Sequence, residues 1–280
     1  MVKKTILPYN LILDLDEVLL HHPSKEITLP HQFFLERPFL VKDTYGYNYI
    51  VPAYLPEFLK FARSRFNIAF FSGGDKERNK SVVQDIWKKV FDTNQLEDVP
   101  ILSREDLTPA DRFDELHPKV GNDPFRWYGN YKKDITKVGK LDSTILVDDD
   151  KSWVLKGQVP NFLKAPGFIF NLEEFIAKDT AKEGTCHHTP EECLAGKGCE
   201  LDQLLEFYKL LYITGILDKA AQHDANVIEG LYAIQFDAEN QQFENHMKEI
   251  AYYKRGYSLL SGFSSEIASR YFPRLEKHFH

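Results

Sequence analysis

Two aspartates one residue apart, Asp14 and Asp16, come directly after an apolar run in the stretch LILDLDEVLL (residues 11–20). Residues at alternate positions of a strand point to the same face, so the two carboxylates lie close together. Carboxylates that close repel each other unless a cation or a proton lies between them. The pair therefore predicts a metal-binding or acid–base site at the end of a buried strand.

Three further elements of the chain carry polar side chains at similar positions. The apolar stretch NIAFFSGG ends in Ser72 and Gly73, lysines occur in NYKKDITKVGK, and STILVDDD ends in Asp148, Asp149 and Asp150. Each element is common by itself. The four together, in this order and at predicted strand ends, indicate a single reaction that needs all of them.

That reaction is the transfer of a phosphoryl group to a carboxylate. Asp14 fits the nucleophile, which would form an acyl-phosphate. Asp16 fits the acid that protonates the leaving oxygen and later activates water. The Ser72 hydroxyl and the Gly73 backbone N–H fit the groups that hold the phosphoryl oxygens. A lysine would neutralise charge on the phosphorylated intermediate.

A magnesium ion is the predicted cofactor, because it lets an anionic nucleophile approach an anionic phosphate and prefers carboxylate oxygens and water as ligands. We predict Asp14 and Asp16 from the first element, and Asp148 and Asp149 from the last, as its ligands. Asp150 is interpreted as a cap or surface residue.

The apolar pattern predicts a parallel α/β sheet to position these groups. Strands are expected within residues 5–20, 67–74, 99–106, 143–150 and 166–172, and helices over 53–66 and 75–91. Strands that alternate with helices favour a doubly wound, Rossmann-like sheet, whose ligands bind at the carboxyl ends of the strands. Residues from about 26 to 53 are predicted to form a small β insert, and residues 107–131 an irregular loop.

These motifs resemble those of haloacid dehalogenase (HAD) superfamily phosphatases, and within them the FCP/SCP-like branch. The resemblance rests on DLDEV, GNYKKDITKVGK and ILVDDD and covers residues 5–172. It implies a Mg²⁺-dependent aspartyl-phosphate mechanism. It also identifies the motif lysine, for catalysis and substrate binding, as Lys133 rather than Lys132 or Lys140, and Asp148 as a metal ligand.

Three residues depart from the pattern of that branch. Val18 and Ser72 stand where the branch usually has threonine, and Asp149 stands where it usually has asparagine. None of these changes removes a group that the reaction requires, so we expect an active enzyme.

Three regions are predicted along the chain. Residues 1–173 form the phosphatase domain, residues 174–200 a polar linker, and residues 201–280 a helical C-terminal region. The linker holds Cys186, Cys193 and Cys199, the only cysteines of the chain. Their spacing is longer and less regular than in structural zinc sites, so a polar loop is favoured over a zinc site.

Composition limits the partners and the location. With 35 basic and 42 acidic residues the net charge is −7, which disfavours binding to nucleic acid. The sequence contains no signal peptide and no apolar run long enough to span a bilayer, so a cytoplasmic protein is expected. The segment AYYKRGYSLLSGF (251–263) mixes basic and aromatic residues, which is compatible with peripheral membrane contact.

We interpret the chain as a phosphoprotein phosphatase, because no segment is long enough for a large lid and an open site admits phosphates carried by proteins. The aromatic loop FRWYGNY (125–131) and the departure at Val18 favour phosphotyrosine slightly over phosphoserine or phosphothreonine. The alternatives are a small-molecule (metabolite) phosphatase, a non-enzymatic binding module, and a phosphoinositide-binding protein in which the C-terminal region dominates. The combination also resembles host-directed bacterial effector phosphatases, which would be secreted and act at a host membrane.

Overall fold

Five strands form one sheet in which all neighbours run parallel. The structure is a computed structural model, and it describes residues 8–22, 39–96, 98–109, 131–165, 201–237, 242–243 and 265–273. The strands, in spatial order, are β5 (Ile101–Leu102), β4 (Asn67–Phe71), β1 (Asn10–Leu13), β8 (Thr144–Asp148) and β9 (Phe162–Lys164). The predicted Rossmann-like α/β fold is confirmed.

The central strand β1 is paired in register with both of its neighbours. Leu13 lies opposite Phe70 of β4 and opposite Val147 of β8. The strands are apolar and buried because the sheet is covered on both faces. Their aligned register brings Asp14 and Asp148 to the same edge of the sheet, where α/β proteins bind ligands.

Two helices follow the predicted pattern closely. Helix α1 spans Leu55–Arg65, and helix α2 spans Lys76–Phe91. The Asp75 side chain caps α2 by accepting a hydrogen bond from the backbone N–H of Arg78 at 2.9 Å. The apolar side of α2, which includes Val82, Val83, Ile86 and Trp87, is buried against the sheet.

The two faces of the sheet are covered differently. Leu11 and Leu13 of β1 belong to the core that the helices cover. Ile12 faces the other way and packs in a second core with Ile135 and Val154, which come from a short 3-10 helix and a loop. Within the described residues no α-helix contributes to this second core, so double winding is not observed there.

Two hairpins lie beside the sheet. Strands β2 (Val41–Lys42) and β3 (Asn48–Tyr49) pair antiparallel within the predicted β insert, of which residues 26–38 lie outside the described part. Strands β6 (Thr108–Pro109) and β7 (Tyr131–Lys132) also pair antiparallel. The prediction of an irregular loop over residues 107–131 is therefore wrong at its two ends, and residues 110–130 lie outside the description.

The C-terminal region contains helices α3 (Leu201–Ala221), α4 (Val227–Gln235) and α5 (Ser265–Tyr271), and a short antiparallel pair of strands, β10 (Phe236–Asp237) and β11 (Gln242–Phe243). The predicted strand over 166–172 and the polar linker with its cysteines lie outside the described residues.

Helix α3 joins the hydrophobic core of the sheet rather than forming a core of its own. Leu210, Ile213 and Leu217 of α3 belong to the same buried cluster as Leu11 of β1 and Phe58 of α1. The boundary between a phosphatase domain and a helical region stays a prediction. None of the helices in the described residues combines the length and the apolar character that crossing a membrane requires.

Candidate active site

Asp14 lies at the carboxyl end of β1 and begins a tightly folded loop. Its backbone N–H donates to the carbonyl of Val147 at 3.0 Å, which continues the sheet by one residue. The loop then closes on itself, with the backbone N–H groups of Leu19 and Leu20 both bonded to the carbonyl of Leu15. Glu17 has a left-handed backbone with φ of 56°. Such conformations are uncommon for residues other than glycine and often occur at functional sites.

A buried lysine joins Asp14 to Asp148. The Lys133 Nζ donates to Asp14 Oδ1 at 2.7 Å and to Asp148 Oδ2 at 2.6 Å, and all three side chains are buried. The backbone N–H of Lys133 donates to the carbonyl of Trp153 at 2.7 Å, which fixes the lysine relative to β8. Lys132 instead donates to the carbonyl of Ser152.

This cluster holds more negative than positive charge. Burial raises the pKa of Asp14 well above its usual value; Lys133 opposes the shift, and Asp148 adds to it. Burial acts to lower the pKa of Lys133, but Asp14 and Asp148 raise it above its usual value. Burial together with Asp148 raises the pKa of Asp149 to about 6. Burial is the larger cause for both aspartates, and the neighbouring Asp148 carboxylate adds to it, so this cluster attracts protons or a further cation.

The carboxylates of this cluster fit a magnesium ion. Oxygen atoms of Asp14, Asp148 and Asp149 lie within 4.8 Å of one another. Carboxylate oxygens are the ligands that Mg²⁺ prefers, and a divalent cation would relieve the excess negative charge. The fourth predicted ligand, Asp16, is not part of this group, since its carboxylate is bound elsewhere.

Asp16 binds to Ser72 and to an arginine of helix α2. Ser72 Oγ donates to Asp16 Oδ2 at 2.8 Å and accepts from the Gly74 backbone N–H at 3.0 Å. Arg78 donates through Nη1 to Asp16 Oδ2 at 2.9 Å and through Nη2 to Asp16 Oδ1. Burial acts to lower the pKa of Arg78, but Asp16 raises it, so the guanidinium stays charged.

The loop between β4 and α2 presents the backbone to the site. Gly74 has no room for a side chain, because a Cβ there would lie 2.6 Å from Asn79 Oδ1. The Gly73 carbonyl accepts from Arg104 Nε at 3.2 Å. Gly73 precedes Lys76, the first residue of α2, by three positions. A helix N-terminus with Ser72 beside it is an arrangement that binds anions.

A second buried lysine comes from the C-terminal region. Lys209 of α3 is 2% exposed, and its Nζ donates to the backbone carbonyl of Glu17. Burial lowers its pKa to about 7, an effect that Asp149, Glu17 and Asp14 oppose. Helix α3 therefore contributes directly to the loop that carries Asp14.

Sequence reasoning missed both Arg78 and Lys209. Arg78 stands in DKERNK, where the charged first turn of a helix is typical of a solvated surface. Lys209 stands alone between apolar residues in EFYKLLYI, and a single charge inside an apolar helix is a signal of a buried partner that could have been used.

The remaining sequence candidates lie as follows. Asp150 caps the short 3-10 helix Lys151–Trp153, with its side chain accepting from the Ser152 backbone N–H at 2.8 Å. Lys140 is exposed. Of the aromatic loop FRWYGNY only Tyr131 lies within the described residues, where it is partly exposed. Val18 is fully buried in the core.

The carboxyl edge of this α/β sheet carries the two aspartates of a DxD motif, a serine hydroxyl and a lysine–aspartate pair. This is the layout of a HAD-type phosphatase. The family model of the NLI interacting factor-like phosphatases matches residues 9–181, more than half of the chain, and the chain belongs to this family. The predicted membership of the FCP/SCP-like branch is confirmed. The further resemblance to bacterial effectors stays a prediction.

Two solved structures are similar to the chain. The structure of Fcp1, an essential RNA polymerase II CTD phosphatase, is 16% identical, with a TM-score of 0.43 over 81% of this chain and 70% of that one. A fission yeast Fcp1 variant bound to beryllium fluoride is 14% identical, with a TM-score of 0.44 over 81% of this chain and 71% of that one. Among curated proteins, none matches the chain.

Proposed function

We propose that the chain is a Mg²⁺-dependent phosphoprotein phosphatase that acts through an aspartyl-phosphate on Asp14. One observation carries the proposal. The buried Lys133 Nζ donates to Asp14 Oδ1 at 2.7 Å and to Asp148 Oδ2 at 2.6 Å, which fixes a carboxylate nucleophile beside a cation and a second carboxylate. Ser72 Oγ and the Asp16 carboxylate, two residues along the chain from Asp14, form a second hydrogen-bonded pair at 2.8 Å.

In the proposed reaction an Asp14 oxygen attacks phosphorus, and the bond from phosphorus to the leaving oxygen breaks. Asp16 donates a proton to that oxygen, and Ser72 with the Gly73 backbone N–H holds the phosphoryl oxygens. Water then attacks the aspartyl-phosphate, Asp16 takes its proton, and phosphate leaves. Lys133 keeps Asp14 oriented and offsets its charge.

Magnesium is the proposed cofactor, held by Asp14, Asp148 and Asp149. When bound, it would offset the charge that otherwise keeps an anionic nucleophile from an anionic phosphate. The raised pKa values of Asp14 and Asp149 support this assignment, because carboxylates that are buried beside Asp148 are stabilised by a further cation.

A protein-borne phosphate is the proposed substrate class, with a preference for phosphotyrosine. The Asp16 side chain is 51% exposed, so solvent reaches this side of the site. Tyr45 and Tyr47 of the hairpin are 60% and 56% exposed, and the Tyr45 hydroxyl donates to Asp75 at 3.0 Å, beside the Ser72 loop. Such rings can stack on a tyrosyl ring. Val18 does not support this preference, because its side chain is fully buried in the core.

Membrane contact, the absence of nucleic acid partners, cytoplasmic location and secretion into a host remain predictions. The segment 251–263, on which the membrane prediction depends, lies outside the described residues.

The test is phosphate release from matched phosphotyrosine, phosphoserine and phosphothreonine peptides and from metabolite phosphates, with and without MgCl₂. Wild type should need Mg²⁺, Asp14→Asn should be inactive, and the phosphotyrosine peptides should be hydrolysed fastest. Turnover of metabolites with no turnover of peptides would favour the metabolite phosphatase instead. No turnover of any ester would contradict an enzymatic function.

A further inference from the structure

The carboxylate of Asp16 lies among hydrogen-bond donors that suit a phosphate. Ser72 Oγ and Arg78 Nη1 donate to Asp16 Oδ2 at 2.8 Å and 2.9 Å, and Arg78 Nη2 donates to Asp16 Oδ1. Carboxylate and phosphoryl groups both offer pairs of oxygens that match the planar guanidinium, so arginine binds either of them in a bidentate manner. The Asp16 side chain therefore takes up a place that two phosphoryl oxygens can occupy.

Arg78 is held by contacts that do not depend on Asp16. The residue is buried. Its Nε donates to the Tyr49 hydroxyl at 3.3 Å, its guanidinium carbon lies 4.8 Å from the centre of the Tyr49 ring, and its Nη1 also donates to Asn79 Oδ1 at 3.1 Å. These contacts remain when Asp16 moves away, so the guanidinium is preorganised to receive another anion.

Asp16 is the more exposed partner of the pair. Its side chain is 51% exposed, whereas that of Arg78 is 9% exposed. A half-exposed carboxylate regains water when it leaves an ion pair, and a phosphoryl group that takes its place keeps the buried guanidinium paired. Release is also necessary for the proposed reaction, because a carboxylate bound to an arginine and a serine cannot donate a proton to a leaving group.

We propose that Arg78 binds the phosphoryl group of the substrate and that the phosphoryl oxygens displace Asp16 from it. The ion pair between Asp16 and Arg78 is then the resting state of the site. Phosphoryl binding between Ser72 and Arg78 breaks this pair and frees Asp16 to act as acid and base. The inference rests on the proposed function, in which Ser72 holds the phosphoryl group.

Binding of inorganic phosphate, measured by isothermal titration calorimetry in buffer with MgCl₂, tests the exchange. Arg78→Gln should weaken binding about tenfold or more, because a charged bidentate contact is lost. Arg78→Lys should weaken it less. Asp16→Asn should strengthen binding about severalfold, because the competitor of phosphate is gone, and this gain should disappear in the Arg78→Gln background. Lys80→Gln is the matched control, since Lys80 is an exposed cation of the same helix.

Phosphate binding to a folded Arg78→Gln variant with the wild-type affinity would overturn the inference. An equal gain from Asp16→Asn with and without Arg78 would also overturn it, because the gain would then reflect only the lost charge. Should Arg78→Gln fail to fold, Arg78→Lys provides the same comparison. If wild type hydrolyses esters through Asp14 and the Arg78 variants bind phosphate normally, only this inference fails. If wild type neither binds phosphate nor hydrolyses esters, the proposed function fails with it.

Discussion

The two lysines that contact the candidate active site come from different regions of the molecule and respond oppositely to similar burial. Lys133, beside the sheet, donates directly to two carboxylates at 2.7 Å and 2.6 Å, and the pKa of its ammonium lies above the usual value. Lys209, in the C-terminal helix α3, donates to the backbone carbonyl of Glu17, and burial lowers its pKa to about 7.

The difference shows what decides the charge of a buried amine in this site. Direct carboxylate partners outweigh the cost of burial for Lys133, whereas the more indirect attraction of Asp149 and Asp14 does not outweigh it for Lys209. Lys133 therefore keeps its positive charge at neutral pH. Lys209 instead ties α3 to the loop that carries Asp14, and its charge depends on pH.

Replacing Lys133, the lysine that stays charged, should have the largest effect on stability and on the rate. Lys133→Met leaves Asp14 and Asp148 facing each other without a cation, so the free energy of unfolding should fall by about 3–5 kcal/mol. Phosphatase activity should fall at least about a hundredfold. Urea unfolding and initial rates measure the two effects. The neighbouring Lys132→Met is the control and should change neither; equal effects of both variants would contradict the assignment.

Replacing Asp149 tests whether the carboxylate cluster is a metal site. Asp149→Asn removes the negative charge of one of the three proposed ligands, so Mg²⁺ should bind about tenfold more weakly. Direct titration of Mg²⁺ by calorimetry, together with the Mg²⁺ dependence of the rate, measures the change. Asp150→Asn alters only a helix cap and should leave Mg²⁺ affinity as it was. An unchanged affinity in Asp149→Asn would show that the charge of Asp149 does not contribute to Mg²⁺ binding.

Replacing Lys209 tests the uncharged side of the comparison. Lys209→Met removes the hydrogen bond to Glu17, but it also removes the cost of burying a charged amine. The two effects offset each other, so the free energy of unfolding at neutral pH should change by less than about 1 kcal/mol. The rate should fall about tenfold, because the strained backbone at Glu17 loses a donor that holds it. A stability loss as large as that of Lys133→Met would show that the two lysines do not differ as described.

The pH dependence of stability tests the lowered pKa of Lys209 separately from its effect on the rate. The pKa of Lys209 falls from 10.5 in the unfolded chain to about 7 in the folded protein. Between these two pKa values the unfolded chain binds more protons than the folded protein. The free energy of unfolding should therefore increase as the pH rises from about 7 to 10.5. Urea unfolding at several pH values should show wild type gaining stability relative to Lys209→Met. If the free energies of unfolding of the two proteins changed in parallel with pH, the pKa of Lys209 would not be lowered in the folded protein.

The sequence predicts the sheet edge well because strand ends are encoded locally. Asp14, Ser72 and Asp148 each follow an apolar run, and parallel strands bring such positions together. The contact of Lys209 with Glu17 could not be predicted from local patterns, since it joins residues 192 positions apart.

Two further misses have a physical explanation as well. Arg78 escaped prediction because burial of one residue in a charged helical turn depends on what packs over it, here the ring of Tyr49. Val18 was expected to bear on substrate choice, but it faces the core, since the loop that carries it turns back on Leu15.

The central claim is that Asp14 carries the phosphoryl group during turnover, and acid-quenched peptide mapping tests it most directly. Wild type would be mixed with Mg²⁺ and an aryl phosphate, quenched during turnover, digested and analysed by mass spectrometry beside Asp14→Asn. If Asp14 is the nucleophile, wild type should carry one phosphoryl adduct on the peptide that contains Asp14. The variant should show neither an adduct nor turnover. Continued turnover by Asp14→Asn, or an adduct on a different residue, would contradict it.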